Sequence, residues 1–311
     1  MPSPARPPLL WPEPLQPGDQ LAIVAPASPI APEAFGPGVA LLESWGLRVV
    51  YGSEVFAPRP YTVATDRQVA EHLTRAIMNP KVKGIICARG GYGTIRLLEY
   101  LDLALLAAHP KYLLGFSDIT TLLNLYLQAS GVVTFHGPTL AHLGEIWPEA
   151  AAHCQRLLMQ PGENLLAFTD LHVLAPGTAR GPLLGGNLAI LCSLLGTPFT
   201  PDLAGAILLL EDYNEPVYRL DRFLQQLRLA GSLQEVRGLV LGGFTGCGPL
   251  PKVWEIFATL GQQLAIPVLA GLPVGHQPDN YTVPLGVEVT VNSTRRMISW
   301  HVAKKNKKGE R

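Results

Sequence analysis

Short apolar runs alternate with helix-like amphipathic stretches through the first half of the chain. Each run is rich in Val, Ile or Leu and ends at small, glycine or polar residues, which is typical of a buried strand. The runs are LAIVAPA (21–27), LRVVYG (47–52), VKGIICA (82–88), KYLLGFS (111–117) and GVVTFHGP (131–138). Strands that alternate with helices favour parallel pairing, because a helical crossover returns the chain to the same edge. The first half therefore predicts a doubly wound parallel sheet of flavodoxin or Rossmann type.

The alternation weakens between about Thr139 and Ala179 and then resumes with a different character. Further strands are predicted at AILLLED (206–212), GLVLGGF (238–244) and IPVLAGLPVGH (266–276), and the segment 281–300 alternates like a hairpin at a sheet edge. We therefore predict an α/β protein of two domains. Its parts are a proline-rich lead at 1–14, an N-terminal α/β domain at 15–142, a linker region at 143–180 and a C-terminal mixed α/β domain at 181–311.

The composition argues against several classes of partner. The 311 residues include 24 Lys and Arg against 24 Asp and Glu, whereas proteins that bind nucleic acid or anionic membranes normally carry a basic excess. No run approaches the roughly 18 apolar residues of a membrane-spanning helix, and the N-terminal segment is too rich in proline for a signal peptide. The four cysteines are scattered without a C-x-x-C pair, so neither a zinc site nor a disulfide framework is expected. These features predict a soluble cytoplasmic protein.

Three polar residues follow apolar runs where an open α/β sheet binds its ligands, beyond the carboxyl ends of the strands. They are Ser117 after KYLLGF, Glu211 after AILLL and His276 after VLAGLPVG. A serine hydrolase uses these residue types as nucleophile, orienting carboxylate and base, and the order Ser, Glu, His also occurs in α/β-hydrolases. The segment GFSDI lacks the G-x-S-x-G elbow, so the pattern by itself only suggests this chemistry.

Each of these residues has an alternative that the local sequence leaves open. Ser117 precedes the helix-like stretch ITTLLNLYLQ and could be a simple helix N-cap, which is the more frequent use of serine at such a junction. Asp212 directly follows Glu211 and could take its place. His136 also ends a predicted strand and competes with His276 as the base.

A glycine-rich segment, RGGYG (89–93), follows the third apolar run. It lacks the G-x-G-x-x-G spacing of a dinucleotide-binding loop and the lysine of a P-loop. Its glycines do allow backbone N–H groups to approach a ligand oxygen closely. That property suits an oxyanion and a tight turn equally well.

Seven segments form an ordered set of motifs along the chain. They are GDQLAIVAPASP, ARGGYGTIRLL, GFSDITTLLN, TFHGP, GGNLAIL, ILLLEDYNEPVYRLDRFL and VGHQPDNYTVPLG. In this order they resemble the LD-carboxypeptidases, a family of serine-peptidase type that also contains the microcin C self-immunity peptidases. The resemblance extends from about Gly18 to about Gly286, nearly the whole chain.

The resemblance implies a two-domain α/β fold with a Ser–His–Glu triad at the domain interface. In this sequence the nucleophile would be Ser117, the base His276 and the carboxylate Glu211, which decides against His136 and Asp212. Backbone N–H groups of Gly91 and Asp118 would form the oxyanion hole.

The implied reaction is hydrolysis of the amide between the L-centre of a diamino acid and a terminal D-alanine in murein tetrapeptide, during peptidoglycan recycling in the cytoplasm. The implied partner is this small peptide, and neither nucleic acid nor a membrane is an expected partner. The resemblance implies that no cofactor or metal is required. It also implies that the protein forms homodimers. The identity of the third peptide residue, diaminopimelate or lysine, and the group that binds the substrate carboxylate stay open.

Two other functions compete with this one. The first is a self-immunity peptidase that cleaves an aminoacyl-nucleotide, and the second is a non-catalytic ligand-binding protein. The connection TGCGPLPK (245–252), which precedes Trp254, is short and contains no aromatic residue that could stack on a base. We therefore expect a preference for the murein peptide.

Overall fold

The computed structural model describes residues 7–57 and 62–301. Residues 1–6 of the predicted proline-rich lead and 302–311 of the predicted C-terminal domain lie outside these ranges. In the described part the α-helices are α1 (Pro32–Ser44), α2 (Asp66–Met78), α3 (Leu103–Ala108), α4 (Thr120–Ser130), α5 (Leu140–Leu143), α6 (Pro148–Met159), α7 (Leu188–Ser193), α8 (Val217–Leu229) and α9 (Leu250–Leu264). Short 3-10 helices lie at Ser53–Phe56, Thr94–Tyr100 and Ser117–Ile119.

The apolar runs of the first half form one sheet. Its strands are β1 (Gln20–Val24), β2 (Arg48–Tyr51), β3 (Val82–Cys87), β4 (Tyr112–Gly115), β5 (Thr134–His136) and, from much later in the chain, β12 (Val283–Leu285). The order is β12-β5-β4-β3-β1-β2, and β1 to β5 are parallel. This is the flavodoxin-like order, in which the direction of winding reverses between β1 and β3.

The second sheet combines parallel and antiparallel pairing. Its strands are β6 (Glu163–Ala167), β7 (His172–Ala175), β8 (Thr178–Asn187), β9 (Ile207–Tyr213), β10 (Gly238–Thr245), β11 (Val268–Ala270), β13 (Glu288–Asn292) and β14 (Met297–His301). The central strands β8, β9, β10 and β11 are parallel, and the outer strands pair antiparallel with their neighbours. The predicted α/β fold, with a wound N-terminal sheet and a mixed C-terminal sheet, is confirmed.

Two segments contribute strands to the sheets in ways that the hydrophobic pattern does not predict. The stretch 143–180, predicted as a linker region, contributes α6 and the outer strands β6 and β7. The alternating segment 281–300 divides: β13 and β14 form the expected hairpin, but β12 pairs antiparallel with β5 of the first sheet. The C-terminal part of the chain therefore crosses back to complete the N-terminal sheet.

Helix α4 lies between the two sheets and is buried along residues 120–127. Two of its polar contacts reach strand β8 of the second sheet. Asn124 Nδ2 donates to the Gly185 carbonyl at 2.9 Å, and the Asn187 N–H donates to Thr120 Oγ1 at 3.0 Å. Because buried polar groups are costly unless they are paired, these bonds fix how the helix sits against the second sheet. The start of α4, next to Ser117, is held by both sheets.

Candidate active site

Ser117 lies between β4 and α4, in a backbone conformation that is rare for serine. Its φ is 66°, in the left-handed region, and it opens the 3-10 helix that precedes Thr120. No side-chain cap is made at either helix start, so the interpretation of Ser117 as an N-cap is wrong. Its Oγ instead lies 3.1 Å from Nε2 of His276, within hydrogen-bond distance. Non-glycine residues held at positive φ cluster at functional sites, where they aim a side chain.

His276 lies in the loop between β11 and β12 rather than at the end of a strand. Thr245 Oγ1 donates to its carbonyl at 2.6 Å, and the Gly275 N–H donates to Asn280 Oδ1 at 2.8 Å. Gly275 has a φ of 98°, and a Cβ there would come within 2.5 Å of a carboxylate oxygen of Glu211. Only glycine therefore allows the loop to pass so close to that carboxylate.

Glu211 is fully buried in β9 and faces the imidazole of His276. Its Oε2 lies 2.6 Å from Nδ1 of His276, and the other oxygen lies 3.9 Å from Nε2 of His136. Burial opposes ionisation of Glu211, but the imidazoles of His136 and His276 outweigh it and hold the pKa of this carboxyl below its ordinary value. Because an ionised carboxylate only accepts, the ring hydrogen of His276 belongs on Nδ1 and its Nε2 is free to accept from serine.

Asp212 points away from this pair, as alternate residues of a strand do. It accepts hydrogen bonds from Asn187 Nδ2 and from the backbone N–H groups of Ala189 and Tyr213. Burial, together with the neighbouring charge of Glu211, raises the pKa of Asp212 to about 7. Of the two adjacent carboxyls, Glu211 is the one in contact with an imidazole.

His136 ends β5 and is completely buried. Neither of its ring nitrogens has a hydrogen-bond partner among residues 7–57 and 62–301. It lies behind Glu211, whereas His276 lies between Glu211 and Ser117. The structure thus places His276, and not His136, within reach of the serine hydroxyl.

The glycine-rich segment closes over Ser117. A Cβ on Gly90 would come within 2.9 Å of the Ser117 Cβ, so this glycine is required by close approach. The Gly91 N–H has no acceptor in the described part of the chain. Asp118 lies in the first turn of a 3-10 helix, where N–H groups lack intrahelical acceptors. Both N–H groups are thus available to a ligand, and their role as an oxyanion hole stays a prediction.

Thr94 ties the glycine-rich segment to the turn after Ser117. Its N–H donates to Asp118 Oδ2 at 2.9 Å and its Oγ1 donates to the Asp118 carbonyl at 2.7 Å. The carboxyl of Asp118 is buried, and burial raises its pKa. These two bonds hold the two loops in one position relative to each other.

The cleft above Ser117 has a volume of about 690 Å³ and contains functional candidates that the sequence patterns missed. Tyr213 stacks on the ring of His276, with centroids 4.9 Å apart and planes at 18°. His142 packs edge-on against Phe116 and pairs with Thr139 through Nδ1. Burial, followed by the charges of His276 and Arg89, lowers the pKa of His142 to about 4. Arg89 itself lines the cleft. Its position directly before the two glycines was the only feature of the sequence that could have marked it as a site residue.

No group of three or more His, Cys, Asp or Glu side chains in the described ranges has an arrangement that could hold a metal ion. None of the helices in those ranges has the length and apolar character needed to cross a lipid bilayer.

Comparison with known proteins places this geometry in a family. The sequence profile of the LD-carboxypeptidase N-terminal domain matches residues 21–137, and that of the LD-carboxypeptidase C-terminal domain matches residues 180–291. The chain belongs to the LD-carboxypeptidase family. The resemblance inferred from the motifs is thereby confirmed.

The chain is similar to relatives that are named for different functions. A murein tetrapeptide carboxypeptidase of Pseudomonas aeruginosa is 35% identical over 89% of this chain and 94% of its own. The crystal structure of a muramoyltetrapeptide carboxypeptidase from Oxalobacter formigenes has a TM-score of 0.79 at 31% identity, covering 92% of this chain and 99% of its own. The microcin C7 self-immunity protein MccF of Escherichia coli is 27% identical over 92% of this chain and 94% of its own. A structure of MccF with glutamyl sulfamoyl guanosine has a TM-score of 0.87 at 25% identity, covering 95% of this chain and 99% of its own.

Proposed function

We propose that this protein is a cytoplasmic serine-type LD-carboxypeptidase that removes the terminal D-alanine from murein tetrapeptide in peptidoglycan recycling. The family is one of carboxypeptidases, and its members include murein peptide carboxypeptidases. The observation that carries the proposal is the continuous contact from Ser117 Oγ through the His276 ring to Glu211, at 3.1 Å and 2.6 Å. This arrangement provides a nucleophile, a base and an orienting carboxylate.

In the proposed reaction, neutral His276 accepts the proton of the Ser117 hydroxyl while Oγ attacks the carbonyl carbon of the L–D amide. The carbonyl oxygen becomes an oxyanion, which the N–H groups of Gly91 and Asp118 stabilise. Glu211 keeps the ring hydrogen of His276 on Nδ1 and stabilises the imidazolium that forms. Because Glu211 is buried and paired before substrate binds, little reorganisation accompanies this step.

The imidazolium of His276 then gives its proton to the nitrogen of the departing D-alanine, and the C–N bond breaks. The acyl group remains on Ser117 as an ester. Water, deprotonated by His276, attacks this ester, and the bond between the acyl carbon and Oγ breaks. The imidazolium returns its proton to Oγ, and the shortened peptide leaves with its new carboxylate. The same three side chains thus act in both halves of the reaction.

Cleavage of an aminoacyl-nucleotide is the second candidate, because the fold is very similar to that of MccF bound to a nucleotide analogue. Against it, the connection between β10 and α9 is only residues 246–249 and contains no aromatic residue. Trp254 belongs to the second turn of α9, since the helix begins at Leu250, and its ring packs edge-on against Phe244 of the same domain. A base would therefore have no stacking partner from this segment, and stacking is worth about 1–3 kcal/mol per base.

A side-by-side panel of substrates tests the proposal. We expect murein tetrapeptide to lose one alanine by mass spectrometry, with a kcat/KM well above that for an aminoacyl-sulfamoyl adenosine. Isomers whose terminal bond is DD or LL should stay uncut. A preference for the nucleotide substrate would favour the second candidate, and no hydrolysis of either would contradict both.

The same assay with a chelator tests the proposed nucleophile. Because Ser117 and His276 supply the nucleophile and the base, we expect EDTA to leave the activity on murein tetrapeptide unchanged. Activity that disappears with EDTA and returns with zinc would contradict a serine mechanism.

A further inference from the structure

The charges that line the cleft are unevenly distributed. The described side chains that face it include three carboxyls, Glu145, Asp212 and Glu215, and a single guanidinium, Arg89. Asp212, whose pKa is about 7, and Glu215, which pairs with Arg219 at 3.0 Å, repel a ligand carboxylate only weakly. Glu145 repels it, and Arg89 attracts it. Any anionic end of a bound peptide therefore has one favourable position among these residues.

Arg89 has no partner within the described ranges. It is exposed, and no carboxylate there lies within ion-pair distance of it. By contrast, Arg96, a few residues later, makes a two-pronged ion pair with Asp66, with Nε and one terminal nitrogen 2.8 Å and 2.7 Å from the two carboxylate oxygens. The cation of Arg89 is left available to a ligand, and a guanidinium can bind a carboxylate through two parallel hydrogen bonds.

The backbone at Arg89 is fixed on both sides. The Ala88 N–H donates to the Val24 carbonyl at 2.7 Å, and the Ala88 carbonyl accepts from the Ala141 N–H at 3.0 Å. On the other side, Gly90 lies against the Ser117 side chain. The guanidinium is therefore carried by backbone that is held between the nucleophile loop and the residue before His142.

These contacts place Arg89 on one particular side of the nucleophile. Its charge acts on His142, whose pKa it helps to lower after burial and His276. The ring of Phe116 contacts both imidazoles, with centroids 4.7 Å from His142 and 4.8 Å from His276. Arg89 and His142 therefore line the same cleft beside the imidazole of His276, which in the proposed reaction protonates the leaving amine. In an amino acid the α-carboxylate is separated from that amine by a single carbon.

We infer that Arg89 binds the free α-carboxylate of the departing D-amino acid and thereby restricts the enzyme to the terminal bond. The inference rests on the proposed function, because it assigns a ligand group to the leaving side of the same cleft. An internal peptide bond, or a terminal carboxamide, offers this guanidinium no charge. Arg89 is thus a residue that determines specificity for the chain end, while the chemistry stays with Ser117 and His276.

Two matched substrates test this assignment: murein tetrapeptide with lysine at the third position, as the free acid and as its C-terminal carboxamide. For the wild-type protein we expect kcat/KM for the acid to exceed that for the amide by about 100-fold, because the carboxamide cannot form the charge-assisted bidentate pair with Arg89. Arg89→Ala should lose about 100-fold on the acid and little on the amide. Arg89→Lys keeps the positive charge but cannot form two parallel hydrogen bonds, so its kcat/KM on the acid should lie between those of the wild type and Arg89→Ala. Lys83→Ala removes an exposed cation from β3, the strand that precedes Arg89, and should leave both rates unchanged.

The outcomes separate this inference from the function on which it rests. If the wild-type protein cleaves the acid and Arg89→Ala keeps the wild-type ratio of acid to amide, the role of Arg89 is refuted while the proposed function stands. An equal loss on both substrates would also refute it, because that result indicates only a disturbed loop. If the wild-type protein cleaves neither peptide, with lysine or with diaminopimelate, the proposed function fails first. Should Arg89→Ala be unfolded by circular dichroism, Arg89→Gln provides the same comparison with a side chain of similar length.

Discussion

Glu211 contacts His276 through two groups of the histidine at once. One carboxylate oxygen, Oε2, lies 2.6 Å from the ring Nδ1 and accepts from the backbone N–H of the same residue at 3.3 Å. The carboxylate therefore determines the position of the loop as well as the orientation of the ring. Since this oxygen comes from a fully buried strand residue, the imidazole is aimed at Ser117 by a rigid element.

This relationship predicts different consequences for the two adjacent carboxyls. Glu211→Gln should lower kcat by about 10²–10⁴-fold, because the amide can stabilise neither the correct tautomer nor the imidazolium. Asp212→Asn should change kcat by less than about tenfold, since Asp212 bonds to Asn187 and to backbone N–H groups rather than to His276. Steady-state kinetics on murein tetrapeptide, with circular dichroism to check folding, measure both. Equal losses of kcat in two folded variants would contradict the assignment of Glu211.

Removing the Ser117 hydroxyl should abolish turnover without unfolding the protein. Ser117→Ala is expected to reduce kcat by about 10⁴–10⁶-fold. No helix cap is lost, so its free energy of unfolding should change by less than about 1.5 kcal/mol, the size of a single hydrogen bond. Normal turnover in a folded variant would rule out Ser117 as nucleophile.

The positive φ of Ser117 allows a separate test of backbone strain. A residue with a Cβ pays about 1–2 kcal/mol in the left-handed region, and glycine does not. Ser117→Gly should therefore be more stable than Ser117→Ala by about 1 kcal/mol in urea unfolding, although both are inactive. A glycine variant that is clearly the less stable of the two would show that this conformation carries no strain.

Tyr213 should act as a positioning residue for His276. Aromatic stacking contributes about 0.5–1.5 kcal/mol, so Tyr213→Ala should lower kcat by about 2–12-fold, with little change in stability because the ring is half exposed. Tyr213→Phe keeps the ring and should restore the wild-type kcat. A phenylalanine variant as slow as the alanine variant would indicate that the hydroxyl, and not the stacking, is what matters.

The lowered pKa of His142 predicts a dependence of stability on pH. Its pKa is about 4 in the folded protein, below the ordinary value of 6.5. Between these values the unfolded chain binds more protons than the folded one, so the stabilisation is complete above about pH 6.5 and is lost as the pH falls towards 4. His142→Asn should weaken this loss by up to about 1.4 kcal/mol per pH unit. Urea unfolding of both proteins from pH 4 to pH 7 measures it, and parallel curves would contradict a neutral, partly buried His142.

Much of this molecule was predictable from local patterns and motifs. Short apolar runs that alternate with amphipathic stretches indicated the strands of the wound sheet, because burial of a strand requires apolar residues regardless of what packs on it. The position of Ser117 at a strand–helix junction was visible for the same reason. The resemblance of the ordered motifs then singled out Glu211 and His276. The hydrophobic pattern alone could not distinguish Glu211 from Asp212 or His276 from His136.

What only the tertiary structure decided are relationships between residues that are far apart in the chain. Three such relationships depend on contacts between separate segments. They are the φ of 66° at Ser117, the pairing of β12 with the first sheet and the stacking of Tyr213 on His276. Local sequence determines which residues avoid water, since burial depends on the side chain itself. The path of a loop such as 271–282, and the direction in which Arg89 faces, depend on long-range hydrogen bonds and packing that no local pattern encodes.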